Sequence, residues 1–223
     1  CCALRALQAR ENGCTRIYCT QLLPMSEPAP VTLDACAPCE PPPARRRPQP
    51  GERRVQILQT LAAMLEQPGV ERITTAALAA RLSVSEAALY RHFASKAQMF
   101  EGLIDFIEHS VFSLVQQIME RATEADGARR AARIAAMVLQ FGERNPGMAR
   151  VMVGDALVLE HERLHQRMNL FFDKIESTLR QCLRPAALAE GAAAPTAQAQ
   201  VRAAALCDLI RGRLQRYVRT GFR

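Results

Sequence analysis

Thr74–Phe93, TTAALAARLSVSEAALYRHF, decides the fold. The stretch reads as a helix, a tight turn and a second, shorter helix. Thr75 is the expected N-cap of the first, and Leu78 and Leu82 then lie four apart on one face. Ser83-Val84 makes the turn. Ser85 precedes Glu86-Ala87-Ala88, a capping residue followed by an acidic first turn. Leu89 and Phe93 repeat at four and face inward, so Tyr90, Arg91 and His92 fall on other faces. A helix of this size fits a DNA major groove, with a cap hydroxyl and a helix N-terminus available for phosphates. The competing reading of the same residues is a helical hairpin from any all-α core.

Leu89-Tyr90-Arg91-His92-Phe93 followed by Lys96 resembles the TetR family of bacterial transcription factors, whose recognition helix commonly ends in LYxHF with a Lys shortly after. One position departs from the family pattern. Ser83 stands where Gly is common, which costs about 1 kcal/mol if the turn must be left-handed there.

Charge is distributed as this reading requires. The chain has 223 residues and a net charge of +7. Residues 53–100 carry six Lys/Arg against three Glu, whereas residues 101–150 carry six Arg against seven acids. The helix-turn-helix region is therefore basic, as phosphate binding needs. Hydrophobic content of 49% is enough for a core. No run of about 18 apolar residues exists, so no membrane span is expected. No secretory h-region opens the chain, and a cytoplasmic protein is expected by exclusion.

Residues 1–51 read as a disordered tail rich in Pro, Cys and Arg. Pro is dense from Pro24 to Pro50, Arg45-Arg46-Arg47 follows a triple Pro, and such a segment buries too little apolar surface to offset ordering. Met25 opens a reasonable start, so residues 1–24 read as upstream translation or a fragment's edge. Six of the eight cysteines lie in this tail, and Cys36 and Cys39 form a CxxC. That spacing is half of a zinc site or a redox pair. No second well-spaced pair accompanies it, so it reads as adventitious thiols.

The rest is expected to be helical, with no strand. Glu52 to Gln67 is amphipathic through Val55, Leu58, Leu61, Ala62 and Leu65, and Pro68-Gly69 stops it. It completes a three-helix DNA-binding domain over residues 52–96. A helical domain spans 97–223. Its first helix, capped by Ser95, carries the stripe Phe100, Leu103, Ile107, Val111, Leu114 and Ile118. The next runs from Ala128 to Arg144, and a short one covers Met148 to Val153. A long helix is expected from Gly154 or Asp155 to Leu183, stopped by Arg184-Pro185. The last runs from Thr196 to Thr220 with Val201, Leu206, Ile210, Leu214 and Tyr217 apolar. The final two helices have more apolar face than one chain needs and are expected to pair with a second copy as a four-helix dimer interface. Two reading heads then require an inverted-repeat site.

His161-Glu162-Arg163-Leu164-His165 matches HExxH, the zinc peptidase spacing. Met168 and Phe171 stand where the metzincin pattern needs Gly and His, and Pro185 stands where the other large class places its third ligand. No catalytic residue, metal site or cofactor is expected.

Five segments in order resemble the nucleoid occlusion members of the TetR family. They are ITTAALAA (73–80), VSEAALYRHF (84–93), SKAQMFEGLIDFIE (95–108), FGERNPG (141–147) and FFDKIESTLRQCLR (171–184). The resemblance runs from Arg53 to the end of the sequence, is weaker over Arg121–Arg133, and lacks what resembles the family's usual tail after Arg223. It implies an all-α fold and a homodimer on palindromic chromosomal DNA. It also implies a DNA-dependent antagonist of the tubulin-like division GTPase FtsZ, located at the nucleoid. It places Phe106, Arg144 and Asn145 on the FtsZ-contacting surface. Phe106 would be an apolar anchor, and Arg144, beside a helix C-terminus, would take an acidic peptide bidentately. The DNA candidates are Arg53, Arg54, Thr74, Thr75, Ser85, Tyr90, Arg91, His92 and Lys96 around the backbone, with Glu86 and Ala87 placed for base edges. The alternative is an ordinary repressor released by a small molecule bound between its long helices. Low aromatic content and the lack of a convergent polar set count against a pocket.

Overall fold

The computed structural model describes residues 51–67, 72–121 and 127–223. The segment read as a tail, with Cys36 and Cys39, lies outside the described residues apart from Gly51. Every regular element described is helical: α1 (Glu52–Leu65), α2 (Thr75–Arg81), α3 (Glu86–Tyr90), α4 (Lys96–Glu120), α5 (Gly127–Arg144), α6 (Pro146–Met152), a 3-10 turn (Asp155–Leu157), α7 (Glu162–Ala189) and α8 (Pro195–Arg219).

One continuous apolar core joins these elements. α7 and α8 pack along their length, α5 lies across both, and α4 packs on α5 and α7. Phe112 of α4 meets Phe171 of α7 edge-on at 5.5 Å, and Phe171 meets Phe172 at 5.2 Å. These rings fill the space between α4, α7 and α8 with offset aromatic contacts. The short α6 is the wedge between the two ends of the molecule, touching α1, α5 and α8. Gly147 makes this possible: a Cβ there would stand 2.3 Å from the Ala62 carbonyl oxygen of α1. Arg150, at the other end of α6, donates to the Leu65 carbonyl at 3.4 Å and to Asp155 at 2.6 Å.

Several helix faces differ from the sequence expectation by one step around the axis. α1 buries Ile57, Leu61, Ala62 and Leu65, and leaves Val55 exposed. α4 buries Val115 and exposes Leu114. In both helices two adjacent faces are apolar, and the neighbour that docks selects one of them. The N-cap of α2 is Thr74, not Thr75: Thr74 Oγ1 accepts from the Ala77 amide at 3.1 Å. The helix expected to start at Met148 starts at Pro146, whose fixed φ suits the first helical position. The expected helix from Gly154 is instead the 3-10 turn, an irregular stretch, and α7 from Glu162.

Pro185 does not stop α7. Arg184, Pro185 and Gln181 are all exposed, so the carbonyl freed by the missing N–H faces water, while Leu183 and Ala187 stay buried and hold the helix in place. α7 ends in a Schellman motif at Gly191. Ala192 donates to the Ala187 carbonyl at 3.2 Å and Gly191 to Leu188 at 3.1 Å, with Gly191 left-handed at φ 70. Arg202 then grips Glu190 through both terminal nitrogens (3.0 and 2.8 Å) and holds its carboxyl below the usual carboxylate range. In α8 the buried line is Ala199, Ala203, Cys207, Ile210 and Leu214, and Val201 points outward.

Candidate nucleic-acid interface

The helix-turn-helix is built from three side-chain caps and one strained residue. Ser85 caps α3 by accepting from the Ala88 amide at 3.3 Å, and Ser95 caps α4 by accepting from Gln98 at 3.2 Å. Between α2 and α3, Val84 donates to the Ala79 carbonyl at 3.0 Å and Ser83 to Ala80 at 3.1 Å. This is a complete Schellman motif, and it forces Ser83 into the left-handed region at φ 53. The position that commonly carries Gly is therefore left-handed here with a side chain on it.

α3 docks through Leu89, with Phe93 just beyond its end; both are 1% exposed. Glu86, Ala87, Tyr90 and Arg91 share the opposite, exposed face. Spacings of one, four and five residues put these four side chains on one contiguous surface. That surface is what α3 offers to a groove.

The other expected DNA residues fall into two groups. Thr74, Arg53 and His92 lie at or near the surface of the same domain. Thr74 and Ser85 have hydroxyls occupied as caps, and Arg53 donates to Gln56 of its own helix at 2.7 Å. The remaining residues are engaged within the protein. Thr75 Oγ1 donates to Glu86 Oε2 at 2.6 Å, tying α2 to α3. The Arg54 guanidinium stacks on the Phe93 ring, 4.3 Å from its centroid, and donates to the His92 carbonyl at 3.2 Å. Lys96 forms an ion pair with Glu160 and lies over the Phe100 ring at 5.7 Å. Glu160 and the Thr75–Glu86 link carry no local sequence signal. The first is 64 positions from its partner, and the second needs the helix–helix angle to be known.

On the expected partner surface, Arg144 is exposed in the last turn of α5 and Phe106 is half-buried against the core. Asn145, the third residue expected on that surface, is turned inward in this protomer. It is 4% exposed, and its Nδ2 donates to the Phe141 carbonyl at 2.8 Å, satisfying the end of α5. It stands where the chain turns from α5 into α6. The Tyr217 hydroxyl donates to the Glu143 carbonyl at 3.2 Å in the same turn, and burial pushes the Tyr217 phenol upward.

The HExxH residues have structural duties. His161 lies before α7 and accepts from the Arg163 amide at 3.3 Å as its N-cap. His165 Nε2 lies 2.7 Å from the Leu157 carbonyl. Among the described residues no group of three or more His, Cys, Asp or Glu could hold a metal, and no helix is long and apolar enough to cross a membrane.

Comparison with known proteins agrees with this geometry. Residues 57–103 match the profile of bacterial regulatory proteins of the tetR family, and residues 125–223 match the SlmA-like, tetracyclin repressor-like C-terminal domain. The nucleoid occlusion factor SlmA of Photobacterium profundum is 50% identical over 172 residues, covering 77% of this chain and 86% of that protein. SlmA of Aliivibrio fischeri (strain MJ11) is 49% identical over 177 residues, covering 79% and 89%. A TetR-family transcriptional regulator from Bordetella parapertussis 12822 shares the fold, with a TM-score of 0.59 at 18% identity over 73% of this chain and 82% of its own.

Proposed function

Since this chain belongs to the SlmA nucleoid occlusion factors of the TetR family, we propose that it binds palindromic chromosomal DNA as a homodimer and, so bound, antagonises FtsZ assembly over the nucleoid. The family is one of DNA-binding regulators, not enzymes. The observation that carries the DNA reading is the exposed face of α3, Glu86-Ala87-Tyr90-Arg91, held outward by buried Leu89 and Phe93. In this reading residues 52–96 read DNA, and residues 97–223 dimerise and carry the partner surface. Glu86 and Ala87 meet base edges. Tyr90, Arg91, Arg53 and the Thr74 and Ser85 region lie along phosphates. Two heads related by a two-fold axis read half-sites about one helical turn apart.

Phe106 and Arg144 are the proposed FtsZ contacts. A half-buried aromatic ring gives an apolar anchor of low conformational cost, and an exposed guanidinium at a helix end suits an acidic peptide.

Sedimentation of GTP-driven FtsZ polymer tests the reading. Polymer loss that requires both this protein and a palindromic duplex is expected, and Phe106→Ala or Arg144→Ala should remove the effect while DNA binding persists. Tight operator binding with FtsZ polymer untouched would return the protein to the ligand-released repressors.

A further inference from the structure

We propose that Arg54 is a positioning residue for DNA recognition: it fixes the C-terminal end of the recognition helix α3 and is not a phosphate ligand. The inference rests on the DNA-binding reading above.

The need for such a residue follows from the length of α3. It has five residues, Glu86–Tyr90. A helix so short closes too few internal hydrogen bonds to offset its own nucleation. Its existence and its direction in space must come from what it docks on. Leu89 and Phe93 supply the apolar part of that docking, but two buried side chains on one face still permit the helix to roll and tilt about them. Sequence readout does not tolerate such motion, because hydrogen bonds to base edges weaken steeply with misalignment.

Two polar links remove the freedom, one at each end. At the N-terminal end Thr75 of α2 donates to Glu86 at 2.6 Å. At the C-terminal end Arg54 of α1 reaches across 38 positions of sequence to the His92 carbonyl at 3.2 Å. That carbonyl belongs to the turn that follows the helix, one residue past its C-cap Arg91, so the bond ties the exit of α3 to α1. The same guanidinium sits over the Phe93 ring, 4.3 Å from its centroid. A planar cation with several donors does both tasks at once; an ammonium has the charge without the plate or the fork. Arg53 next to it is different, since its Nη1 donates to Gln56 of its own helix and it makes no hydrogen bond or ion pair to α3 among the described residues. Adjacent arginines of the same charge thus differ in their partners, one bonded within α1 and one bonded to the turn after α3.

The test separates the removal of a phosphate ligand from the loss of helix orientation. The probes are a palindromic duplex selected by the parent protein from a random pool, and a scrambled duplex of the same composition. Anisotropy titrations run from about 50 to about 200 mM salt, where phosphate neutralisation dominates the salt response. For Arg54→Gln the expected result is about a tenfold loss on the palindrome, with binding to the scrambled duplex and the slope of log K against log salt unchanged. Arg54→Lys is expected to behave like Arg54→Gln, although it keeps the charge. A phosphate ligand predicts the opposite pattern. Both duplexes would weaken together, the slope would flatten by about 0.9 for each phosphate no longer neutralised, and Lys would restore both. That pattern overturns the inference, as does an unchanged ratio between the two duplexes in either variant. A lowered melting temperature with that ratio intact also overturns it, since a merely structural residue would act in that way. Arg54→Lys, which alters an exposed side chain and keeps its charge, decides the matter if Arg54→Gln does not fold. Failure of the parent protein to prefer any sequence would instead sink the DNA-binding reading.

Discussion

Lys96 and Glu160 form a part-buried ion pair that joins the first residue of α4 to the irregular stretch before α7. The lysine expected to meet DNA is therefore held by a carboxylate of the helical domain. The neighbouring Arg150 and Asp155 join that region to the end of α1 through the Leu65 carbonyl. The segment from α6 to Glu160 thus touches both flanks of the DNA-binding helices.

Removing the Glu160 charge should free Lys96 for phosphate. Glu160→Gln is predicted to raise affinity for any duplex several-fold and to steepen the salt dependence by about 0.9 for each lysine released. Adding Lys96→Ala to Glu160→Gln is predicted to cancel that gain on all sequences alike. Salt-dependent titrations of both variants check this, and an unaltered slope in Glu160→Gln would place Lys96 away from the DNA.

Ser83 stores backbone strain in the turn of the helix-turn-helix. Its left-handed φ of 53 is imposed by the Schellman bonds of Val84 and Ser83. Ser83→Gly should stabilise the protein by about 1 kcal/mol, the relief of the Cβ clash less the extra freedom of the unfolded chain. Urea unfolding would show it as a raised midpoint with an unchanged m-value. A lowered midpoint would mean that the hydroxyl contributes more than the strain removes.

Gly147 should be the least replaceable residue of the wedge. An added methyl meets the Ala62 carbonyl oxygen at 2.3 Å and the Leu65 Cβ at 3.2 Å, neither of them the free end of a flexible side chain. Gly147→Ala is predicted to destabilise by about 1–3 kcal/mol. Gly142→Ala should be milder, because the atom it meets, Leu214 Cδ2 at 2.4 Å, ends a side chain that can rotate. Thermal melts of the two variants under one buffer rank them, and equal melting temperatures would show that α6 moves freely against α1.

What was legible in the sequence had a local cause. Ser85 and Ser95 marked helix starts by cap chemistry, and Leu89 and Phe93 marked the inward face of α3 by spacing. What was not legible had a distant one. Ile57 rather than Val55 is buried, on the side of α1 where Leu82, Val84 and Leu89 of the helix-turn-helix lie, and Pro185 is tolerated because its side of α7 faces water. The bond from Asn145 to the Phe141 carbonyl has no sequence signal either, since spacing does not show which way that carbonyl points. Arg54 and Lys96 read as phosphate ligands because basic side chains near a recognition helix usually are; their partners lie 38 and 64 positions away.

The proposed dimer face gives the last prediction. α8 exposes Val201 (69%) and Leu209 (54%), and α7 beside it exposes Leu170 (57%) and Leu188 (68%). Along α8, Val201, Ala205, Leu209 and Gly212 recur at four, four and three, so they lie on one face. A Cβ on Gly212 would meet nothing within 4 Å in this protomer, which leaves room there for a second backbone. In a two-fold interface each substitution is present twice, so Leu209→Glu would bring like charges into apolar surface from both sides. The variant is predicted to sediment as a monomer and to lose the palindrome by at least an order of magnitude while keeping half-site binding. Its own fold should be intact, because Leu209 faces away from the buried line of α8. Leu159→Glu is the control: Leu159 is 66% exposed but lies outside α7 and α8, and that variant should remain a dimer. If Leu209→Glu stays dimeric at the same concentration, the copies meet through another face and the four-helix interface is wrong.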